Sequence, residues 1–82
     1  MDKTEAISIA EKGKVDDSNE KYALLGKVEQ RYIEVTESLD PEKRGRVRDV
    51  LVWIVEFRHG NMWVQYAVDS ADSNIVRRHK SR

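Results

Sequence analysis

The chain has 82 residues, with 15 Lys and Arg against 15 Asp and Glu, and no cysteine. This length fits one small domain, and the lack of cysteine excludes a disulfide framework, a thiol nucleophile and a cysteine-based zinc site. The two His residues are too few for a three-histidine metal site, and no apolar run approaches the roughly 20 residues that span a bilayer. The proportions of 39% apolar and 37% charged residues predict a small core and a strongly solvated surface.

The neutral total hides a charge asymmetry along the chain. Residues 1–42 hold 11 acidic and 6 basic side chains, a net charge of −5, whereas residues 43–82 hold 4 acidic and 9 basic ones, a net charge of +5. The basic side chains fall into two clusters: Lys43, Arg44, Arg46 and Arg48, and then Arg77, Arg78, Lys80 and Arg82. Such polarity indicates a polyanionic partner, or two halves that neutralise each other, or simply solvated faces and a basic tail.

Residues 3–12 are predicted to form a short amphipathic helix. Asp2 and Glu5 have the spacing of a capping box, in which the first side chain accepts hydrogen bonds from first-turn N–H groups. An apolar stripe follows at helical spacing, formed by Ala6, Ile7, Ile9 and Ala10. Gly13 is the predicted end of the helix, and residues 13–21 are predicted to be a polar linker.

The middle of the chain, residues 27–38 in particular, allows two interpretations. A set of apolar side chains has the alternating spacing of three and four residues that is typical of a helix: Leu25, Val28, Tyr32, Val35 and Leu39. The β-branched and aromatic composition of residues 32–36, together with Gly26, instead favours a strand. A strand would pair with the segment after residue 45 through a loop at residues 39–45, and this interpretation is preferred.

Residues 50–57 and 62–69 are predicted to form a β-hairpin. Both segments are rich in β-branched and aromatic residues, and His59 and Gly60 suit the two-residue loop of a primed turn. This register puts four apolar pairs on one face: Phe57 with Met62, Val55 with Val64, Trp53 with Tyr66, and Leu51 with Val68. The other face mixes apolar and polar side chains, so the first face is the predicted core and needs a covering element.

The C-terminal region is predicted to be a turn followed by a last strand. Asp, Ser and Asn dominate residues 69–74, as they do in turns, and residues 75–78 begin with a β-branched pair. Residues 79–82 are expected to be a mobile basic tail. The whole chain is therefore predicted to be one α+β domain, with a short N-terminal helix packed on a three- or four-stranded antiparallel sheet.

Two stretches of the chain resemble PepSY domains. Residues 4–10 are similar to the "eeAiaiA" helix of that family. Residues 53–57 and Trp63, continued by residues 68–76, are similar to its pattern W-x-V … y-V-D-a-x-T-G-e-I-v. Asp72 and Ser73 depart from the pattern, because they stand where the family has Thr and the turn Gly. If that turn needs a positive φ, either Ser73 adopts it under strain or Asn74 takes the role in a shifted turn.

The resemblance covers roughly half of the chain and leaves residues 13–46 as an insertion. It implies a helix on a small antiparallel sheet, and a role as an accessory module, often outside the cytoplasm and sometimes linked to inhibition or regulation of peptidases. It implies no catalytic residues. The extracytoplasmic expectation depends on the resemblance alone, since the first residues, Met1 to Thr4, contain no apolar signal segment.

The protein is predicted not to be an enzyme and to bind no cofactor or metal. His59 is expected at the hairpin tip and His79 in the tail, where no second group orients or desolvates an imidazole. Asp16 with Asp17, and Asp69 with Asp72, lack the ligand density of an EF-hand loop and suit turns better than Ca²⁺ binding. The sequence contains no phosphate-binding loop and no nucleophile elbow.

The mixed face of the hairpin holds the candidate partner-binding residues. Trp53 belongs to the predicted core face, whereas Trp63 on the mixed face is either a half-buried cross-strand packer or an exposed aromatic anchor. The predicted contact residues are Trp63, Gln65, Ile54 and Val52. If residues 27–38 were a helix, that helix would cover the patch and remove it from the surface.

The predicted function is therefore a non-enzymatic protein-interaction or regulatory module. Two alternatives stay open: binding of single-stranded nucleic acid on a sheet face with a basic rim, and a small cytoplasmic protein that neutralises one partner. The zero net charge and the lack of consecutive surface aromatics count against nucleic acid. A sheet edge would also allow a homodimer.

Overall fold

The computed structural model describes residues 1–36 and 47–82. One helix precedes four strands, with these bounds: α1 Lys3–Asp16, β1 Leu24–Thr36, β2 Val47–His59, β3 Met62–Asp69 and β4 Ile75–Lys80. The strands form one antiparallel sheet in the order β1-β2-β3-β4, and α1 packs on one side of it against β2, β3 and β4. The predicted α+β class is confirmed, with four strands. The loop expected at residues 39–45 and three of the clustered bases lie outside the described residues.

The N-terminal helix begins as the sequence predicts and ends one turn later. Asp2 caps it, because its side-chain Oδ1 accepts a hydrogen bond from the backbone N–H of Glu5 at 2.9 Å. The prediction that Gly13 ends the helix is wrong, since α1 continues to Asp16. Gly13 is buried against the sheet, where a side chain would meet Ile75 and Tyr66. Its missing side chain therefore serves packing and not termination.

The segment after the helix is a tight connection and not a free linker. A Schellman motif ends α1: the N–H of Ser18 donates to the carbonyl of Val15 at 3.0 Å, and that of Asn19 to the carbonyl of Lys14 at 2.8 Å. Ser18 takes the left-handed conformation that this motif uses, with φ of 59°. Tyr22 then enters the core with 1% of its surface exposed. The linker predicted for residues 13–21 is thus corrected to the last helical turn and an ordered connection.

The strand interpretation of the middle segment is confirmed by β1. Its side chains alternate between the two faces, so that Val28 packs against the core on the side of α1 and Ile33 packs on the opposite side. Tyr32 shares the helical spacing seen in the sequence but is 69% exposed. A β-bulge after Leu25 shifts the pairing of β1 with β2 by one residue.

The β2–β3 hairpin has the predicted faces but a different register. Gly60 and Asn61 form the two-residue loop, and His59 is the last residue of β2. Gly60 has φ of 59° at the first central position, as in a type II′ turn. Phe57 therefore pairs with Val64, two residues from the partner predicted for it. A shift of two residues keeps every side chain on its predicted face, because the side-chain period of a strand is two.

The turn before β4 is present as predicted, but the strand after it is longer. Ser73 has φ of 67°, so this serine itself adopts the positive φ. β4 includes His79, and the N–H of Ser81 donates to the carbonyl of Trp63 at 2.9 Å. The prediction of a mobile tail at residues 79–82 is wrong for residues 79–81, because their backbone continues the pairing with β3.

Two apolar clusters lie on the two faces of the sheet. Buried members of the cluster under α1 are Ala6, Ala10, Tyr22, Val55, Phe57, Val64, Tyr66 and Val68. The opposite side, called the helix-free face below, holds Ile33, Val50, Val52, Ile54 and Ala67. Trp53 packs against the first cluster, on the core face predicted for it, and is half-buried.

The sheet curls toward the helix-free face. In a flat sheet β1 and β4 would lie about 14 Å apart, which is three strand spacings. The guanidinium of Arg77 on β4 nevertheless donates from Nη2 to the backbone carbonyl of Glu34 on β1 at 2.7 Å. The curl therefore brings side chains of the first and last strands together over the helix-free cluster and contributes to its burial.

Candidate interaction surface

The four residues predicted to bind a partner lie on the helix-free face at different depths. Val52 is fully buried and Ile54 is 5% exposed, so both support the surface from below and do not reach a partner. Gln65 and Trp63 are half-buried and lie two residues apart on the same face of β3. The structure thus narrows the predicted contact residues to Trp63 and Gln65.

A small cavity opens on this face beside Gln65. Its volume is about 60 Å³, and these residues line it: Arg31, Ile33, Ile54, Gln65, Ala67, Arg77 and His79. The floor is apolar, while the rim consists of two guanidinium groups, an imidazole and an amide. The cationic rim was not predicted from the sequence. Extending the last strand past residue 78 would have placed Arg77 and His79 on one face, because side chains two residues apart in a strand share a face.

The positive charge of the rim is only partly neutralised. Arg31 Nη1 lies 3.6 Å from Glu29 Oε1, and Lys27 Nζ lies 3.8 Å from the same oxygen. Arg77 donates to the Glu34 carbonyl and makes no ion pair with a carboxylate within residues 1–36 and 47–82. Among these contacts the cations of Lys27, Arg31 and Arg77 outnumber the single carboxylate of Glu29. The rim therefore keeps a net positive charge that attracts anionic groups.

Trp63 is held beside the cavity by its pairing with β4. Its backbone N–H donates to Ser81 Oγ at 2.8 Å, and its indole meets the imidazole of His79 edge-on, with ring centres 5.2 Å apart. His79 also lines the cavity, so the indole and the cavity belong to one surface. An aromatic ring in this setting provides the rigid contact area that is typical of binding anchors.

Glu56 ties β1, β2 and β3 together beneath this surface. It is 5% exposed, and its carboxylate accepts hydrogen bonds from Arg58 Nε at 2.9 Å, Gln65 Nε2 at 3.0 Å and the backbone N–H of Lys27 at 3.4 Å. Burial raises the pKa of the Glu56 carboxyl, but the hydrogen bonds from Gln65, Arg58 and Lys27 lower it by more, so the net shift is downward. Gly26 in the bulge leaves room for the carboxylate, which a side chain there would meet.

A second polar network lies on the opposite side, at the end of α1. The hydroxyl of Tyr66 donates to Asp17 Oδ2 at 3.1 Å and accepts from Asn19 Nδ2 at 3.1 Å. Arg78 Nε donates to the same Asp17 oxygen at 2.7 Å. Burial of the phenol raises the pKa of Tyr66. This network fastens the helix end to β3 and β4 and has no part in the cavity.

Compared with protein-family models, with curated proteins and with solved structures, the chain gives no significant match. The resemblance to PepSY domains therefore stays a prediction. Within the described ranges, no group of three or more His, Asp or Glu residues is placed to hold a metal ion. In the same part of the chain, no helix has the length and apolar character needed to cross a membrane.

Proposed function

We propose that this protein is a non-enzymatic protein-interaction module and that its partner binds the helix-free face around Trp63. The observation that carries the proposal is the surface formed by the half-buried indole, His79 and the adjoining cavity. It combines an aromatic anchor, an apolar floor and a polar rim, which is the composition of protein-binding patches.

The resemblance to PepSY domains supports a regulatory role for this module. The resembling stretches lie in α1, in the β2–β3 hairpin and in the turn that leads into β4. They include part of the cluster under α1, namely Ala6, Ala10, Val55, Phe57 and Val68. A peptidase is the class of partner that the resemblance implies. On this proposal the chain acts by binding its partner, and it needs no catalytic group of its own.

Substitution of Trp63 by Ala tests the proposal. Because the indole lies outside both apolar clusters, we expect the Trp63→Ala chain to fold and to lose its partner. The measurement is a pull-down from cell extract with the wild-type and variant chains as bait, quantified by mass spectrometry. Tyr32→Ala is the matched control, since Tyr32 is 69% exposed on the other side of the sheet.

The expected result is a protein that the wild-type and Tyr32→Ala chains retain, and that the Trp63→Ala chain retains at least about tenfold less. Circular dichroism of each bait shows whether it is folded. An unfolded Trp63→Ala chain would place the indole in the core and contradict the proposal. Equal retention by all three chains would contradict it as well.

A further inference from the structure

We infer that the cavity beside Trp63 binds a carboxylate side chain, so that the module recognises an acidic segment of its partner. This inference rests on the proposed function for its location and adds the chemistry of the ligand. The cavity volume of about 60 Å³ exceeds the roughly 10–15 Å³ that a cavity needs to hold one water molecule. A carboxylate group is small enough for this space.

Arg77 supplies the charge that selects an anion. One of its N–H groups is bonded to the Glu34 carbonyl at 2.7 Å, which fixes the guanidinium at the cavity. Arginine has five N–H donors in a planar fork that matches a carboxylate, so donors remain for a ligand. No carboxylate of the described residues pairs with Arg77, and the ligand would therefore be its counter-ion.

The other lining groups complete a carboxylate site. Gln65 donates one amide N–H to Glu56 at 3.0 Å, which orients its amide at the rim, and Arg31 adds a second guanidinium. The floor beneath is apolar, with Ile54 5% exposed and Ala67 3% exposed. A charge-assisted hydrogen bond above such a floor is stronger than one in open solvent. An Asp or Glu side chain would reach the cavity while its backbone lies across the indole.

The first test compares two peptides on the whole chain. One is acetylated, amidated Ala-Glu-Glu-Glu-Ala, and the other carries Gln at the three central positions. Binding is followed by ¹H–¹⁵N NMR at the backbone amides of residues 65, 67, 77 and 79 and at the indole of Trp63. We expect the Glu peptide to shift these signals with an affinity at least about tenfold higher than that of the Gln peptide.

A matched pair of variants locates the binding group. Arg77→Met removes the guanidinium at the cavity, while Arg78→Met removes the same charge from the neighbouring residue, which pairs with Asp17 on the other side of the sheet at 2.7 Å. We expect Arg77→Met to lower the affinity for the Glu peptide about tenfold or more. Arg78→Met should change this affinity less than about twofold.

A second pair keeps the test decisive if Arg77→Met disturbs the sheet by losing its bond to Glu34. His79 is exposed. His79→Glu leaves Arg77 and its bond to Glu34 in place and brings a carboxylate to the cavity that competes with the ligand. We expect His79→Glu to abolish binding of the Glu peptide, and His79→Gln, which keeps a donor, to retain it.

Three results would overturn the inference. Equal affinity of the Glu and Gln peptides on this face would show that the cavity does not select a carboxylate. It would not contradict the proposed function. The absence of shifts at the cavity with millimolar Glu peptide would also contradict the carboxylate site. The proposed function is tested separately, by the pull-down with Trp63→Ala. Displacement of the Glu peptide by a lower concentration of inorganic phosphate or a single-stranded oligonucleotide would make the cavity a phosphate site.

Discussion

Two serines hold backbone conformations that usually belong to glycine. Ser18 has φ of 59° and Ser73 has φ of 67°. For a residue with a Cβ, this left-handed conformation costs about 1–2 kcal/mol of conformational energy. Ser18 closes the Schellman motif after α1, and Ser73 closes the turn before β4. The sequence left Ser73 and Asn74 as alternatives for a positive φ in this turn, and in the structure Ser73 adopts it.

Ser73→Gly is expected to raise the free energy of unfolding by about 0.5–1 kcal/mol. The gain is the removed backbone strain, reduced by the greater freedom of glycine in the unfolded chain. Urea denaturation measures it. Ser8→Gly is the control, because Ser8 is exposed inside α1, where glycine lowers helix stability by about 0.5 kcal/mol. If Ser73→Gly loses stability as well, contacts of the serine side chain outweigh the strain.

The end of α1 could not be predicted from the residues of the helix itself, as Gly13 shows. Within the sequence, glycine after an amphipathic stripe is the usual mark of a helix end. In the folded protein the same residue lets α1 lie close to Ile75 and Tyr66. That role depends on a strand more than sixty positions later, so no local pattern contains it.

Gly13→Ala is expected to lower the free energy of unfolding by no more than about 1 kcal/mol, because the cost of overpacking is partly offset by the better helix propensity of alanine. The new Cβ would meet Cδ1 of Ile75. Ile75→Val deletes that atom, so the double variant should recover part of the loss. Urea denaturation of the four chains gives the double-mutant cycle, and strictly additive effects would show that the contact is not the cause.

The sheet was predictable in its faces but not in its register or curvature. Alternation is a property of each strand alone, so the core face of the β2–β3 hairpin follows from composition. The register depends on whether His59 or Asn61 accompanies Gly60 in the loop, and both choices give a plausible turn. The cavity could not be predicted either. Its rim contains Arg31 on β1 and Arg77 on β4, which come together only through the curl of the whole sheet.

The oppositely charged halves of the chain meet in an ion pair at the end of α1. Asp17 and Arg78, 2.7 Å apart, form an ion pair that joins the halves. The pairs of Glu29 with its neighbours and of Glu56 with Arg58 stay within one half.

The stability of the whole molecule should depend on pH through Glu56. Its pKa in the folded state is lowered from 4.5, so this carboxylate stabilises the fold above its unfolded pKa, and the contribution is lost as the pH falls through the folded pKa. We expect Glu56→Gln to cost about 1–3 kcal/mol at neutral pH and clearly less near pH 3, measured by urea denaturation at both values.

Glu34→Gln is the control for this pH dependence, since the Glu34 side chain is exposed and has no ion pair among the described residues. It should leave the difference between the two pH values as in the wild type. A Glu56→Gln chain that loses as much stability on acidification as the wild-type chain would contradict the assignment to Glu56.

The bond from Arg77 to the Glu34 carbonyl changes the connectivity of the sheet. In an open meander the last strand is joined to one neighbour and can peel away without disturbing the rest. Here a side chain of β4 donates to the backbone of β1, so β4 cannot separate from the sheet at Arg77 without also breaking its contact with β1. The hydrogen bond therefore couples fraying of β4 to the far edge of the sheet, by about 0.5–1.5 kcal/mol.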